Sequence, residues 1–316
     1  MTLTPGYEAL MHGAGLVDLS SRGRIRVTGE DRVRLLHAMT TNDIRQLEPG
    51  DGCYAFFLNA QGRILADAVI LELPDALMIG TEPETRGAVY GHLDKYIIAD
   101  DVTLEDITEA TIEIGIEGPV AAGLLEMLGA PAPAAPYSHA AWGDSTVARI
   151  STTGQPGFSV IAPRGARDAL IGDLEAAGVA PADVEAARTV RLEQGFPRYG
   201  EDITDRHLPH ETQLLSAVNF NKGCYIGQEI VERVRSRGGV HRFLVPLEID
   251  ADRAPAPETR ILAAGKDIGE ITSAAYSPAL GKTVALAYVR TGEIAPGAEL
   301  SVEGNRALIT AGTPNR

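Results

Sequence analysis

The stretch RIRVTGEDRVRLLHAMTTND, Arg24 to Asp43, changes its hydrophobic period at one glycine, and that change decides which fold follows. Up to Gly29 apolar and polar residues alternate, as along a strand with one buried face. Beyond it Val33, Leu36 and Met39 recur at helical spacing. Downstream, GCYAFFLNAQGRILADAVILEL (Gly52–Leu73) reads as two strands joined through Asn59-Ala60-Gln61-Gly62, a tetrapeptide of turn formers. PETRGAVYGHLDKYI (Pro83–Ile97) reads as a second helix and DVTLEDI (Asp101–Ile107) as a closing strand. The order β-α-β-β-α-β is that of a ferredoxin-like unit with two helices on one face of a sheet.

The pattern then recurs. TIEIGIEG (Thr111–Gly118) alternates and stops at glycine, and PVAAGLLEMLGA (Pro119–Ala130) is a helix with proline at its start. HAAWGDSTVARI (His139–Ile150) and GFSVIAPR (Gly157–Arg164) read as strands, GARDALIGDLEAAG (Gly165–Gly178) as a helix. APAPAAPYS (Ala130–Ser138) is too rich in proline for a strand interior. PADVEAARTVRLEQG (Pro181–Gly195) is a further helix, acidic early and basic late as the helix dipole favours. From Phe243 the character changes to short runs cut by glycine or proline: FLVPLEI, EITSAAYS, TVALAYVR, ELSVEG and RALITAG. That is the signature of a small antiparallel barrel. The expected class is α+β, with ferredoxin-like domains at 1–108 and 109–242 and a barrel at 243–316.

With 316 residues the chain is long enough for two or three domains, and its 44% hydrophobic and 22% charged content is that of an ordered globular protein. No apolar run approaches bilayer length, and MTLTPGYEALMHGAG lacks the basic flank and apolar core of a signal peptide. Cytoplasmic residence is the expectation. A formal charge of −15 argues against general nucleic-acid binding, because phosphate contacts need a cationic surface. Two cysteines, Cys53 and Cys224, are too few for a disulfide framework. They are also too few to ligate zinc or an iron–sulfur cluster, unless two copies share one.

Against that acidic background NKGCYIGQEIVERVRSRGGVHR (Asn221–Arg242) is locally basic, and it holds Cys224 between Lys222-Gly223 and Tyr225. Nearby cations stabilise a thiolate and glycine admits unusual backbone angles, so Cys224 reads as a reactive or ligand-binding thiol. Cys53, on an apolar strand, reads as core. LGKT near Gly281 fails as a phosphate loop because Tyr276 stands where that motif needs glycine. His207 and His210 flank Pro209 and read as loop or pocket residues; no metal site is expected. Glu193 would be a solvated helix charge but for its neighbours Arg191, Tyr199, Glu201 and Asp202.

KGCYIGQE (Lys222–Glu229) resembles the signature of the YgfZ-type folate-binding proteins, which include mitochondrial iron–sulfur assembly relatives. These form a branch of the superfamily that contains the glycine-cleavage T-protein, an aminomethyltransferase. YAFFLNAQGRILAD (Tyr54–Asp67), RLEQGFPRYGEDI (Arg191–Ile203) and GEITSAAYSPALGKTVALAYV (Gly269–Val289) are similar to other family segments. The resemblance implies two ferredoxin-like domains and a barrel around a central channel that binds tetrahydrofolate. It assigns Glu193 to the pteridine ring and the basic residues of Asn221–Arg242 to the anionic glutamate tail. Asn59, Tyr199, Gly223, Gln228 and Arg233 are the further residues expected at the folate. Where T-proteins carry paired aspartates this chain has Ala66-Asp67, which leaves Asp67 as the one catalytic carboxylate. The expected function is a tetrahydrofolate-binding factor whose clients are iron–sulfur enzymes or their assembly proteins. Cys224 would be its working thiol, with Lys222 and Arg233 tuning the charge. The alternative is folate-dependent aminomethyl or one-carbon transfer.

Overall fold

A computed structural model of the chain describes residues 3–293 and 299–310. Ala311 and Gly312, at the end of the expected strand RALITAG, lie outside them. Two sheets and a closed barrel carry the architecture. The first sheet has the spatial order Gly52–Leu58, Ile64–Glu72, Leu77–Thr81, Gly23–Thr28, Thr103–Asp106, with antiparallel pairing between neighbours. The helices Arg32–Met39 and Arg86–Asp94 pack on its outer face, where Ile25, Val27, Ala66, Ile70 and Ile79 meet Leu36 and Leu93. The alternation in Arg24–Gly29 had placed Ile25 and Val27 on that face. One strand, Leu77–Thr81, was not anticipated: ALMIG is a short apolar run without alternation, and Pro74-Asp75 before it reads only as a turn.

The second sheet runs Ala180–Pro181, Gly15–Asp18, Thr111–Glu117, Gly157–Pro163, Ser145–Ala148, His139–Trp142. Ile112, Ile114, Ile116, Phe158 and Val160 form its outer core with Leu125, Leu170 and Leu174 of the helices Ala121–Met127 and Arg167–Ala176. HAAWGDSTVARI is a hairpin and not a single strand, because Gly143 sits at a φ of +58° and turns the chain. The segment before the first sheet belongs elsewhere. Gly15–Asp18 pairs with Thr111–Glu117 and with Ala180–Pro181, so residues placed in the first expected domain complete the second sheet.

The two sheets turn their inner faces toward each other. Tyr54, Phe56, Ile64, Val69, Leu71 and Met78 from the first meet Ala148, Ile150 and Ile161 from the second. Polar residues in this layer are satisfied internally. Arg24, 1% exposed, donates to the carbonyls of Ser20, Arg22 and Thr108, and its guanidinium lies 3.5 Å from Glu113.

The barrel joins Arg242–Ile249, Lys282–Arg290, Lys266–Ser277, Arg260–Ala263, Leu300–Val302 and Asn305–Ile309 into a closed antiparallel ring. Closure removes the exposed edge that such short strands would otherwise offer. The barrel docks through Asp202, which accepts from Thr272 (2.6 Å) and Ser273 and pairs with Arg191 at 2.6 Å. Burial would raise this carboxyl, but Arg191 and the two hydroxyls hold it below the usual range. A second joint stacks the His207 ring on Tyr288, 4.1 Å between centroids.

Burial, with Arg242, Arg206 and Arg63 nearby, pushes His207 down to about 3, so the folded protein keeps it neutral. An unfolded chain binds that proton near 6.5. The stability His207 contributes is therefore complete above pH 6.5 and is lost as pH falls from there toward 3. In urea unfolding measured across that range, His207→Gln is expected to flatten the loss relative to the unaltered protein.

Candidate functional site

A cavity of about 710 Å³ opens between the inner faces of the two sheets. Its walls come from the crossover Val17–Arg22, Tyr54 and Val69 of the first sheet, and Glu82-Pro83 beyond the strand Leu77–Thr81. Tyr137 and the loop Arg149–Gly157 face these, and the helix Val184–Glu193 contributes Val184, Ala187, Arg188 and Arg191. Those four positions fall on one helical stripe, which is why this helix and no other side of it meets the cavity. Phe196, Arg198 and Glu201 close the end.

Charge in this cavity opposes that of the chain. Arg22, Arg149, Arg188, Arg191 and Arg198 line it against Asp18, Glu82 and Glu201. Glu82 bridges Arg22 and Arg198, the latter at 3.0 Å, and Arg198 also takes Glu84 through 2.7 and 2.8 Å bonds. Burial would lower the pKa of Arg22, but Glu82, Glu113 and Asp67 raise it on balance. Glu201 joins Arg188 (3.3 Å) to Arg191 (2.6 Å), and Asp18 pairs with Arg167 at 2.7 Å. Arg149 differs from the other four. Its guanidinium lies 4.6 Å over the Phe158 ring, and among the described residues no carboxylate pairs with it. The rings of Tyr54 and Tyr137 run nearly parallel, 15° apart with centroids 6.4 Å apart.

Asp67 reaches this cavity indirectly. It is 3% exposed and accepts from the Tyr54 hydroxyl at 2.8 Å, and it is Tyr54 that lines the wall. A bulge at Leu65 sets the register: Phe56 lies opposite Asp67, and Phe57 opposite Ala66. Asp67 therefore points inward with Val69, whereas Ala66 packs outward among Ile25, Phe57 and Ile70. A carboxylate at position 66 would face the helices. The Ala66 departure leaves the inner face unchanged.

The remaining expected site residues lie outside the cavity walls. Glu193 is turned to the far side of its helix and accepts from the Tyr7 hydroxyl at 2.7 Å. Tyr199 is buried in the inter-sheet core and donates to the carbonyls of Ile64 and Leu65. Asn59 accepts from the amides of Gln61 and Arg63, both at 2.9 Å, and so builds the hairpin turn. Gln228 begins the helix Gln228–Arg237, on which Arg233 is exposed. The basic stretch is thus a surface helix, and the cavity's arginines come from five other places in the sequence.

At the motif around Cys224 the structure turns the expected charge-tuning lysine inward: Lys222 is 7% exposed and donates to the carbonyls of His37, Thr40 (2.6 Å) and Asn42 (2.8 Å). These carbonyls lie at and beyond the C-terminus of the helix Arg32–Met39, where they lack helical partners and favour a cation. Burial lowers Lys222 to about 8, against the pull of Asp43. Gly223 is exposed with ordinary backbone angles; the glycine that needs a positive φ is Gly227, at +84°. A Cβ there would fall 2.6 Å from the Asn59 carbonyl oxygen. Cys224 is exposed and forms no disulfide among the described residues, while Cys53 is buried and its thiol is pushed up to about 12 by burial. His210 lies on the short helix Pro209–Thr212, and among the described residues no cluster of His, Cys, Asp and Glu could hold a metal ion. No described helix is long and apolar enough to cross a membrane.

Sheets, barrel and inter-sheet cavity together define a T-protein-like fold, and the comparisons place the chain in that family. The GCVT N-terminal domain matches residues 4–222 and the glycine cleavage T-protein C-terminal barrel domain residues 242–312. The chain belongs to the glycine cleavage T-protein family. It is 33% identical over 309 residues to an aminomethyltransferase of Streptomyces coelicolor, covering 93% of this chain and 82% of that one. It is 30% identical over 321 residues to an aminomethyltransferase of Nostoc, covering 95% and 83%. The crystal structure of the glycine cleavage system aminomethyltransferase T from Bartonella henselae shares the fold, with a TM-score of 0.88 at 24% identity over 98% of this chain and 88% of that one.

Lys222→Met should leave three helix-end carbonyls without their donor and cost about 3 kcal/mol in denaturant unfolding. Cys224→Ser, at an exposed position, should stay within about 0.5 kcal/mol of the unaltered protein.

Proposed function

We propose that the chain binds tetrahydrofolate in the inter-sheet cavity and acts as a folate-dependent one-carbon transferase of the aminomethyl class. The observation that carries the reading is a net-cationic, aromatic-walled cavity of about 710 Å³ inside a chain of charge −15, in a family whose named members are aminomethyltransferases. Tetrahydrofolate is a flat ring system with an anionic tail and is the one-carbon carrier of that family. The volume is within the usual range for a ligand of that size. Tyr54 and Tyr137 offer flat surfaces to the ring, and the unpaired Arg149 suits a carboxylate of the tail.

The Tyr54–Asp67 pair supports acid–base chemistry at the same wall. As a folate amine nitrogen forms its new bond to the donor's aminomethyl carbon, that carbon's bond to its leaving group breaks. The leaving group departs with the bonding electron pair and takes up a proton from solvent, and the folate nitrogen must lose its own proton. The Tyr54 oxygen can accept that proton while its own passes along the 2.8 Å hydrogen bond to Asp67. Water is largely excluded from the acceptor, since Asp67 is 3% exposed.

One observation favours a second reading, support of iron–sulfur enzymes. Cys224 stands exposed on a turn anchored on both sides, by the Lys222 ammonium and by Gly227 against the hairpin, and it is outside the cavity. In that reading the thiol serves a client protein while folate binds elsewhere.

Methylene-tetrahydrofolate formation and tetrahydrofolate titration test the first reading together. Asp67→Asn is expected to lower turnover about 100-fold while binding persists, and Arg149→Ala to weaken binding about tenfold. Cys224→Ala should alter neither. No turnover with any aminomethyl donor, together with lost client-enzyme activity in Cys224→Ala cells, would transfer the assignment to the second reading.

A further inference from the structure

The inner face of the strand Thr111–Glu117 carries a carboxylate that the proposed chemistry does not use. Glu117 is fully buried, and its two oxygens accept from one short loop that forms a wall of the cavity. Oε1 takes the amide of Thr152 at 2.8 Å and its hydroxyl at 2.6 Å. Oε2 takes the hydroxyl of Ser151 and the amide of Thr153, both at 2.9 Å, and the hydroxyl of Thr153. Five donors from three consecutive residues are thereby committed to one buried group.

We propose that Glu117 fixes this wall as a hydrogen-bond acceptor, and that Thr152 receives an N–H of the bound ligand. A hydroxyl has one proton. Those of Ser151, Thr152 and Thr153 point at Glu117, so toward anything else these oxygens only accept. Two are already used that way: Ser151 Oγ accepts from the Gly154 amide at 2.9 Å, and Thr153 Oγ1 from the Gln155 amide at 3.3 Å. Thr152 Oγ1 is the one with no further partner among the described residues, and Thr152 lines the cavity. Its lone pairs are further polarised by the carboxylate behind it. The wall selects ligands that present an N–H there and disfavours those that present a carbonyl or carboxylate oxygen. Such an oxygen would meet a second acceptor, with the Glu117 charge behind it. The arginine-rich side of the cavity takes the anionic end of the same ligand, so the two walls orient it end to end. Glu117 is a positioning residue in this scheme, since it touches the loop and not the ligand.

The inference rests on the folate reading and is tested with tetrahydrofolate as the probe. Thr152→Val removes the acceptor while keeping the side chain's shape, and Thr152→Ser restores it. By calorimetric titration Thr152→Val is expected to bind about tenfold more weakly, with Thr152→Ser within about threefold of the unaltered protein. Glu117→Gln turns an amide N–H₂ toward the loop's donors and is expected to weaken binding at least as much. If that variant fails to fold, the Thr152 pair still decides the question. Tetrahydrofolate binding by the unaltered protein, with Thr152→Val within twofold of it, would overturn the acceptor wall and leave the folate reading standing. Absence of binding by the unaltered protein would overturn both.

Discussion

Two sheets packed inner face to inner face must do something with the polar residues that alternation places between them, and the rest of the molecule follows from how they are paired. Arg24 and Glu113 sit in that layer with every strong donor answered by a carbonyl, hydroxyl or carboxylate. Their satisfaction lets the apolar part of the layer close around Phe56, Ile64 and Ile161. Where the sheets diverge the layer stays open, and the ion pairs of Arg22, Glu82, Arg198 and Glu201 line the gap. Buried charges left unpaired would cost several kcal/mol each, so the network that keeps the cavity polar also keeps it stable.

The fold was largely legible because its outer faces obey simple periods. Ile112, Ile114 and Ile116 announced a strand, and Val33, Leu36 and Met39 announced the helix that covers its counterpart. What escaped were elements whose identity is set by tertiary pairing. Gly15–Asp18 is four residues long and is a strand because two partners flank it, and Leu77–Thr81 has no alternation to read. The helix Gln228–Arg237 is likewise hard to read from sequence, because it is mostly charged and buries little beyond Val231.

The site was much less legible. Its walls come from segments that are far apart in sequence and individually ordinary: a crossover, a proline-flanked tyrosine, a serine-threonine loop. The alternation of TIEIGIEG marks a strand, but nothing local says that a second sheet covers the face bearing Glu113 and Glu117, both of which are buried. The residues that did stand out, Lys222, Asn59 and Tyr199, are distinctive because they hold backbone in place. Geometric demands of this kind restrict residue choice as strictly as chemistry does, and a sequence does not label which demand is at work. The grouping of Arg191, Glu201 and Asp202 in one neighbourhood was the exception, because helix and loop lie close along the chain; the structure pairs Arg191 with both carboxylates.

The opening strand has a consequence for the order of assembly. Gly15–Asp18 leaves the ribosome before the whole first sheet, yet its antiparallel partner begins at Thr111 and its parallel partner at Ala180. The first sheet, between Gly23 and Asp106, can close while that strand is still waiting. These four residues, made before the first sheet, are thus paired only after it. The second sheet cannot be finished on the nascent chain until the peptide that began it has been recovered from a long loop.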